Sequence, residues 1–280
     1  MIDSPARSVT GVLHPGAMGV TVAAACSGIV LWASEDRSAE TAERASDAGL
    51  TDVGSLAELV DAADFVISVC PPHGAEALAS AVADTGFDGC YVDANAISPA
   101  ASRRIATRFE NFVDGSLIGP PAREPGTTRL YLAGPDAGRV ATRFAGSLLE
   151  ARVLPDGAIG AASALKMAYA AWSKGTSALL ISVAALAAAE GVSDDLTAEW
   201  AMSQPGLSQR LTYTAIQSAP KAWRWVGEMD EIADTFAAVG LPDGFHRAAS
   251  EVYARLEEFK NVRSASVEGL LEALLGAEPV

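Results

Sequence analysis

The chain is poor in positive charge, in cysteine and in long apolar runs, and each shortage excludes something. Its 280 residues carry 20 Lys and Arg against 35 Asp and Glu, a formal net charge of −15. A nucleic acid would be repelled by that average field, because such binding releases phosphate counterions to clustered Lys and Arg. No such cluster is present. Cys26, Cys70 and Cys90 are the only cysteines; their odd count and lack of metal-ligand spacing argue for buried free thiols and no metal centre. Half of the residues are hydrophobic, yet no apolar run reaches the roughly 18 residues of a membrane span. The Ala-rich stretch from Ala178 to Ala189 reads as a buried helix. The N-terminus Met1-Ile2-Asp3-Ser4 has neither the basic start nor the apolar core of a signal peptide, so a cytoplasmic location is the expectation.

What is present is alternation. Short β-branched runs at Val9–Leu13, Ile29–Ala33, Phe65–Val69 and Cys90–Val92 interleave with helical segments such as Gly16–Ala25 and Ser38–Ala48. Continuous apolar runs of this kind suit strands covered on both faces. Repeated β-α units imply a mostly parallel, doubly wound sheet with right-handed crossovers. Phe112-Val113, Arg129–Leu132 and Arg152–Leu154 complete it. After the turn signal Pro155-Asp156-Gly157 the periodicity becomes helical, with one long helix expected over Ala158–Glu190 and shorter ones over 194–202, 207–217, 229–238, 244–259 and 266–275. The expected fold is thus an α/β Rossmann domain over 1–156 followed by an all-α domain over 157–280.

The first strand runs into His14-Pro15-Gly16-Ala17-Met18-Gly19. At a strand-to-helix turn, glycines let a pyrophosphate approach the backbone N–H groups. His14 stands where the first glycine of G-x-G-x-x-G belongs. Twenty positions on, the second strand ends at Ser34, followed by Glu35, Asp36 and Arg37. An acidic residue ending that strand suits the ribose 2′-OH of NAD, whereas Ser34 with Arg37 suits the 2′-phosphate of NADP. NADP is therefore favoured, with NAD open. Asn95, at the end of its strand, is expected either to meet the nicotinamide ribose or substrate, or to cap the helix entering at Ser98-Pro99.

The loop His14–Gly19, the strand end Cys70-Pro71-Pro72, the segment Asp93-Ala-Asn95-Ala-Ile-Ser-Pro99, Phe112-Val-Asp-Gly-Ser-Leu-Ile118-Gly119-Pro120 and Gly160-Ala-Ala-Ser-Ala-Leu-Lys166 occur in one order. They resemble the corresponding segments of the β-hydroxyacid dehydrogenases, the superfamily that includes 6-phosphogluconate dehydrogenase. The nearest likeness is to a branch with a C-terminal helical domain of unassigned function. The resemblance spans about Val9 to Lys260. It implies a nicotinamide cofactor at the glycine loop and at Cys70-Pro71-Pro72, a substrate loop at Ile118-Gly119-Pro120, a catalytic lysine at Lys166 and a homodimer paired through the helical domain. Three departures count against a simple 3-hydroxy acid substrate. The family's substrate loop has Ser-Gly-Gly where this chain has Ile118-Gly119-Pro120, its paired asparagines are Tyr169 and Ala170 here, and a further family lysine has no counterpart around Glu228-Met229-Asp230.

Chemistry supports Lys166 separately. Hydride transfer at a carbon bearing oxygen or nitrogen needs a partner that moves a proton on the heteroatom, and a lysine in an apolar stretch can serve. Helical spacing puts Ser163, Tyr169, Ala170 and Ser173 on the same face, so Tyr169 is a second catalytic candidate and Ser173 a substrate contact. Lys174 reads as a solvated helix residue, His246 as a surface or capping residue, and Lys221-Ala-Trp223-Arg224-Trp225 as core packing more than a ligand box. The reading is an NAD(P)-dependent oxidoreductase acting on a small hydroxy/oxo compound. Imine reduction, or a dinucleotide-binding sensor without turnover, stay open.

Overall fold

The computed structural model describes residues 8–260, 262 and 265–276. They fold into two compact units, divided in the chain between Met167 and Ala168.

The first unit is built on one eight-stranded sheet. In chain order its elements are β1 (Val9–Leu13), α1 (Gly19–Ala25), β2 (Ile29–Trp32), α2 (Ala39–Asp47), β3 (Thr51–Asp52), α3 (Leu56–Ala62), β4 (Phe65–Ser68), α4 (Ala75–Ala83), β5 (Cys90–Asp93), α5 (Pro99–Ala106), β6 (Asn111–Ile118), β7 (Thr128–Ala133), α6 (Ala137–Ala141) and β8 (Leu149–Val153). The strand order is β3-β2-β1-β4-β5-β6-β7-β8. Every pairing is parallel except β6 with β7. The continuous apolar runs are explained by burial on both faces. Phe65 and Ile67 of β4 join one core with Val22 and Ala23 of α1 and Val140 of α6. Val66 points into the other, with Leu59 of α3, Ala79 of α4 and Ile105 of α5.

Strand β3 and helices α3, α4 and α6 escape the sequence pattern. Strand β3 has two exposed residues at the sheet edge and no apolar signature. Helix α3 follows a capping box, in which the Ser55 side chain accepts from the Glu58 N–H while Glu58 reaches back to the Ser55 N–H.

The helical part consists of α7 (Ala161–Ala189), α8 (Ser193–Ser203), α9 (Leu207–Ser218), α10 (Trp225–Ala238), α11 (Gly244–Ala254) and α12 (Val267–Gly276). Helix α7 is long and apolar enough to cross a membrane by length and composition, but half of its most apolar window is buried inside the protein. In the second unit Met229, Ile232 and Ala233 of α10 are buried, as are Ala249 and Tyr253 of α11. The Tyr253 hydroxyl donates to the Lys174 carbonyl at 2.7 Å.

The first turns of α7 lie with the sheet, and one side chain accounts for it. Asp114 of β6 is fully buried. Its Oδ2 accepts from the Ala162 and Ser163 N–H groups at 2.8 and 3.1 Å, and its Oδ1 accepts from Ser163 Oγ at 2.6 Å and Ser102 Oγ at 3.0 Å. A carboxylate at a helix N-terminus meets unpaired N–H groups and the positive end of the macrodipole. Charge-assisted bonds of this kind are worth about 1.5–3 kcal/mol each, and leaving the donors buried and unpaired costs more. Asp114→Ala is therefore expected to lose about 3 kcal/mol or more of stability, read as a lowered urea midpoint. Asp114→Asn, which keeps one acceptor oxygen, is expected to fall between it and wild type.

Candidate functional site

In an open α/β sheet the ligand crevice lies beyond the carboxyl ends of the strands, where the strand order reverses. Here that point is between β1 and β4, whose ends are Leu13 and Ser68 in register. The loops after β1, β2, β4, β5 and β6 leave the same edge, so most residues singled out from sequence meet there.

After β1, His14 has a left-handed backbone (φ 61°). Pro15 is buried, Ala17 is exposed, and Met18 packs its side chain on the core. The two glycines have different reasons. A Cβ on Gly19 would stand 2.2 Å from the His14 carbonyl oxygen, so the turn itself requires glycine. At Gly16 nothing lies within 4 Å of where a Cβ would be, leaving the backbone open to an approaching group. After β2, the turn closes through the Arg37 N–H donating to the Ser34 carbonyl at 3.0 Å, and Arg37 Nη1 donates to His14 Nε2. Burial, with the Arg37 charge, pushes the His14 imidazole down to about 4. An open glycine backbone beside a guanidinium fits the phosphates of a dinucleotide, with His14–Met18, Ser34 and Arg37 as the residues that would hold it.

Beyond β4 and β5 the arrangement is a framework. Asn95 is 2% exposed. Its Oδ1 accepts from the Cys70 N–H at 2.6 Å, and its Nδ2 donates to Ser68 Oγ and Asp93 Oδ2, both at 3.0 Å. Asn95 is thus not the cap of α5, a role taken by Ser98. Both of its amide hydrogens are spent within the protein, so it fastens two strand ends and has no donor left for a ribose. Burial pushes the Cys70 thiol up to about 11. Pro71 is exposed and Pro72 opens a single 3₁₀ turn.

Strand β6 ends at Ile118, which is 4% exposed. That side chain belongs to the core, so a ligand could meet only its main chain. Gly119 follows at φ 126°, where a Cβ would stand 2.2 Å from the Thr127 carbonyl oxygen. The exposed Pro120 accepts from Thr128 Oγ1 at 2.5 Å, and the Ala122 N–H donates to Thr21 Oγ1 at 3.1 Å, which ties the loop to α1. Lys166 comes to this edge as well. Half-buried, it donates from Nζ to the Leu117 carbonyl at 2.9 Å. The Ser163 hydroxyl, expected beside it, is committed to Asp114.

In the second unit Tyr169 is half exposed and Ser173 partly buried. Two expectations there are corrected. Lys174 is not solvated, since its ammonium pairs with Glu228 and both side chains are mostly buried. His246 is neither a surface nor a capping residue. It is 5% exposed, its ring 4.4 Å from Phe236 and 5.1 Å from Phe245. Trp225 meets Tyr253 edge-on at 5.2 Å, and Lys260 lies 4.2 Å over Trp223, as packing would have it.

Sequence reasoning missed the two buried aspartates, Asp93 and Asp114. The available signal was an acidic residue ending an apolar strand and another inside one.

Comparison with known proteins sets this geometry in a class. The conserved protein MTH1747, of unknown function and with structural similarity to 3-hydroxyacid dehydrogenases, superposes with a TM-score of 0.67 at 27% identity over 90% of this chain and 97% of its own. A Mycobacterium tuberculosis 3-hydroxyisobutyrate dehydrogenase shares the fold at 18% identity, 96% and 99% coverage and a TM-score of 0.68. So does a Streptomyces aurantiacus imine reductase, at 18%, 97% and 100%, and 0.51. An uncharacterized 28.5 kDa protein of Methanothermus fervidus, from the 7S RNA 5′ region, is 30% identical over 166 residues; the match spans 57% of this chain and 62% of that relative. Residues 187–256 match a domain of unknown function, DUF1932. The chain has the architecture of the β-hydroxyacid dehydrogenase-like superfamily, in the form that carries a C-terminal helical domain.

Asp93 generates a pH prediction. It is fully buried, and burial pushes its carboxyl up to about 7, against hydrogen bonds from Asn95 and with Asp114 nearby. The folded state then holds a proton that the unfolded chain releases near pH 4, so stability falls as pH rises from about 4 to 7 and levels above 7. The stability difference between wild type and Asp93→Asn should change by at most about 1.4 kcal/mol per pH unit across that window. Urea unfolding at several pH values measures it, and a pH-independent difference would contradict it.

Proposed function

We propose that the protein is an NAD(P)-dependent oxidoreductase that prefers NADP and acts on a small hydroxy/oxo compound, with Lys166 moving the proton. The observation that carries the reading is the Lys166 ammonium at the end of β6, donating to the Leu117 carbonyl on the same sheet edge as the open Gly16 backbone. A nicotinamide bound along that edge would supply or take the hydride. The chain's own part is the proton. Leu117 takes one ammonium N–H and orients the other two, one of which is available to a substrate oxygen or nitrogen. Proton transfer from Nζ would neutralise the negative charge that develops on that heteroatom during reduction.

The substrate is small by this reading, because the loop after β6 is held at both ends and cannot swing out far. No side-chain hydroxyl follows Ile118 before Thr127, and this favours a second reading, reduction of C=N in place of a carboxylate-bearing alcohol. The imine reductase among the fold relatives frames that alternative.

Lys166→Ala should leave NADPH binding unchanged and lower turnover by roughly 10²–10⁴-fold on whichever carbonyl or imine the wild type accepts. Lys166→Arg should fail as well, because a guanidinium does not give up its proton. Unchanged turnover in Lys166→Ala, with a severe loss in Tyr169→Phe, would move the proton to the phenol. Cofactor binding by the wild type without turnover of any carbonyl or imine tested would leave a dinucleotide sensor.

Assembly is part of the proposal. Within the second unit α7 exposes Trp172 (69%), Leu179 (48%) and Leu186 (63%), a seven-residue spacing that makes one apolar seam. A symmetric homodimer burying that seam is expected. Sedimentation should give a dimer at micromolar concentration, and Leu186→Glu should shift it toward monomer. A wild-type monomer would refute the assembly.

A further inference from the structure

His14 occupies a position that glycine would fill at no conformational cost. Its left-handed backbone is one that glycine adopts most readily, although histidine is among the side chains that tolerate it, and the imidazole makes a contact that glycine could not. The imidazole Nε2 is in hydrogen-bond contact with Arg37 Nη1. A guanidinium has donors only, so Nε2 carries the lone pair and the ring is the neutral Nδ1–H tautomer. The depressed pKa of about 4 keeps it so at neutral pH.

Arg37 is delivered to this contact by its own turn. Asp36 takes a left-handed backbone (φ 57°), which aspartate tolerates better than most residues. The Arg37 N–H closes on the Ser34 carbonyl at 3.0 Å. Among the described residues Arg37 is in none of the salt bridges. One of its N–H groups is spent on His14, and the remaining donors are not neutralised by a carboxylate. A cation that is fixed by a neutral partner keeps its full charge for a ligand.

We propose that His14 is a positioning residue that holds the Arg37 guanidinium at the end of β1 to receive the ribose phosphate that distinguishes NADP from NAD. The proposal rests on the dinucleotide reading above and adds to it the side chain that sets selectivity. Glycine at position 14 would free the backbone but release Arg37 into solvent, and the entropy of reordering that long side chain would then be charged to binding.

The test uses the full-length protein and titrates NADPH and NADH by fluorescence, with no turnover required. Arg37→Gln should abolish the preference for NADPH. His14→Gly, which relieves the backbone, should weaken NADPH about tenfold, the size of one lost charge-assisted contact, and leave NADH within about twofold. In the Arg37→Gln background His14→Gly should change the NADPH-to-NADH ratio no further, because the histidine acts only through Arg37. His14→Gln, whose amide oxygen can take the guanidinium N–H, should restore part of the preference. An unchanged ratio in His14→Gly, an equal loss for both cofactors, or the same loss with Arg37 already removed would each overturn the role. A wild type that binds neither cofactor would overturn the dinucleotide reading and this inference together. Binding of both with no effect of His14 would overturn the inference alone.

Discussion

A carboxylate sealed inside protein is among the costliest groups to bury, and Asp114 is stable there only because α7 begins against it. Four donors converge on its two oxygens, two of them main-chain N–H groups at the start of the helix. The constraint runs both ways: the helix end needs an acceptor, and the acid needs donors. This fixes the register between β6 and α7. Three residues beyond Asp114 is Leu117, roughly 10 Å along a strand. Three residues beyond Ser163 is Lys166, about 4.5 Å along a helix, and the long lysine side chain makes up the difference to reach the Leu117 carbonyl. A solvated lysine would wander among rotamers; this one has its root and its tip both fixed to β6.

The rest of the carboxyl edge is held by polar ties of the same sort. Asn95 binds the ends of β4 and β5 to each other through Ser68, Asp93 and the Cys70 N–H, and Thr21 binds the loop after β6 to α1. Buried polar networks are destabilising when half satisfied and rigidifying when complete. Here they keep neighbouring strand ends level across the crevice, so the ligand-facing loops start from fixed points. A framework fixed in this way is what a site needs if it is to orient a cofactor and a substrate without reordering itself.

The sheet was legible because burial on both faces forces continuous apolar runs, and these survive in the sequence as Phe65–Ser68 and Cys90–Asp93. Strand β3 was not, since two exposed edge residues carry no pattern, although the Ser55/Glu58 capping box next to it does announce α3. Lys166 could be placed on a helix face, but not on Leu117, because strand-to-helix register is a tertiary fact. Ser163 was assigned to the same face by period alone, and the stronger acceptor, Asp114, claimed its hydroxyl. Asn95 was visible as a polar residue at a strand end. Periodicity could not say whether such a residue looks outward to a ligand or sideways to the next strand. His246 and Lys174 were misread for a related reason. A polar residue is expected outside unless a partner is known, and the partners from elsewhere in the chain lie on α10, Phe236 for His246 and Glu228 for Lys174.

One apparent contradiction is that a chain with a net charge of −15 is assigned an anionic cofactor. Net charge acts at long range, and at physiological ionic strength the Debye length is about 8 Å, so distant carboxylates on the surface are largely screened. What a phosphate meets is the local set. The end of β2 is acidic in composition, with Glu35, Asp36 and Asp52 close in the fold, but two of these are hydrogen-bonded to backbone N–H groups. Asp52 Oδ1 accepts from the Ser34 and Gly54 N–H groups at 3.1 and 2.9 Å, and Glu35 Oε2 accepts from the Leu56 N–H at 3.5 Å. Their charge is partly offset by those donors, whereas Arg37 is held by an uncharged ring. The acids build the turn while the arginine is held by the uncharged ring of His14, so the local charge there differs in sign from the net charge of the protein.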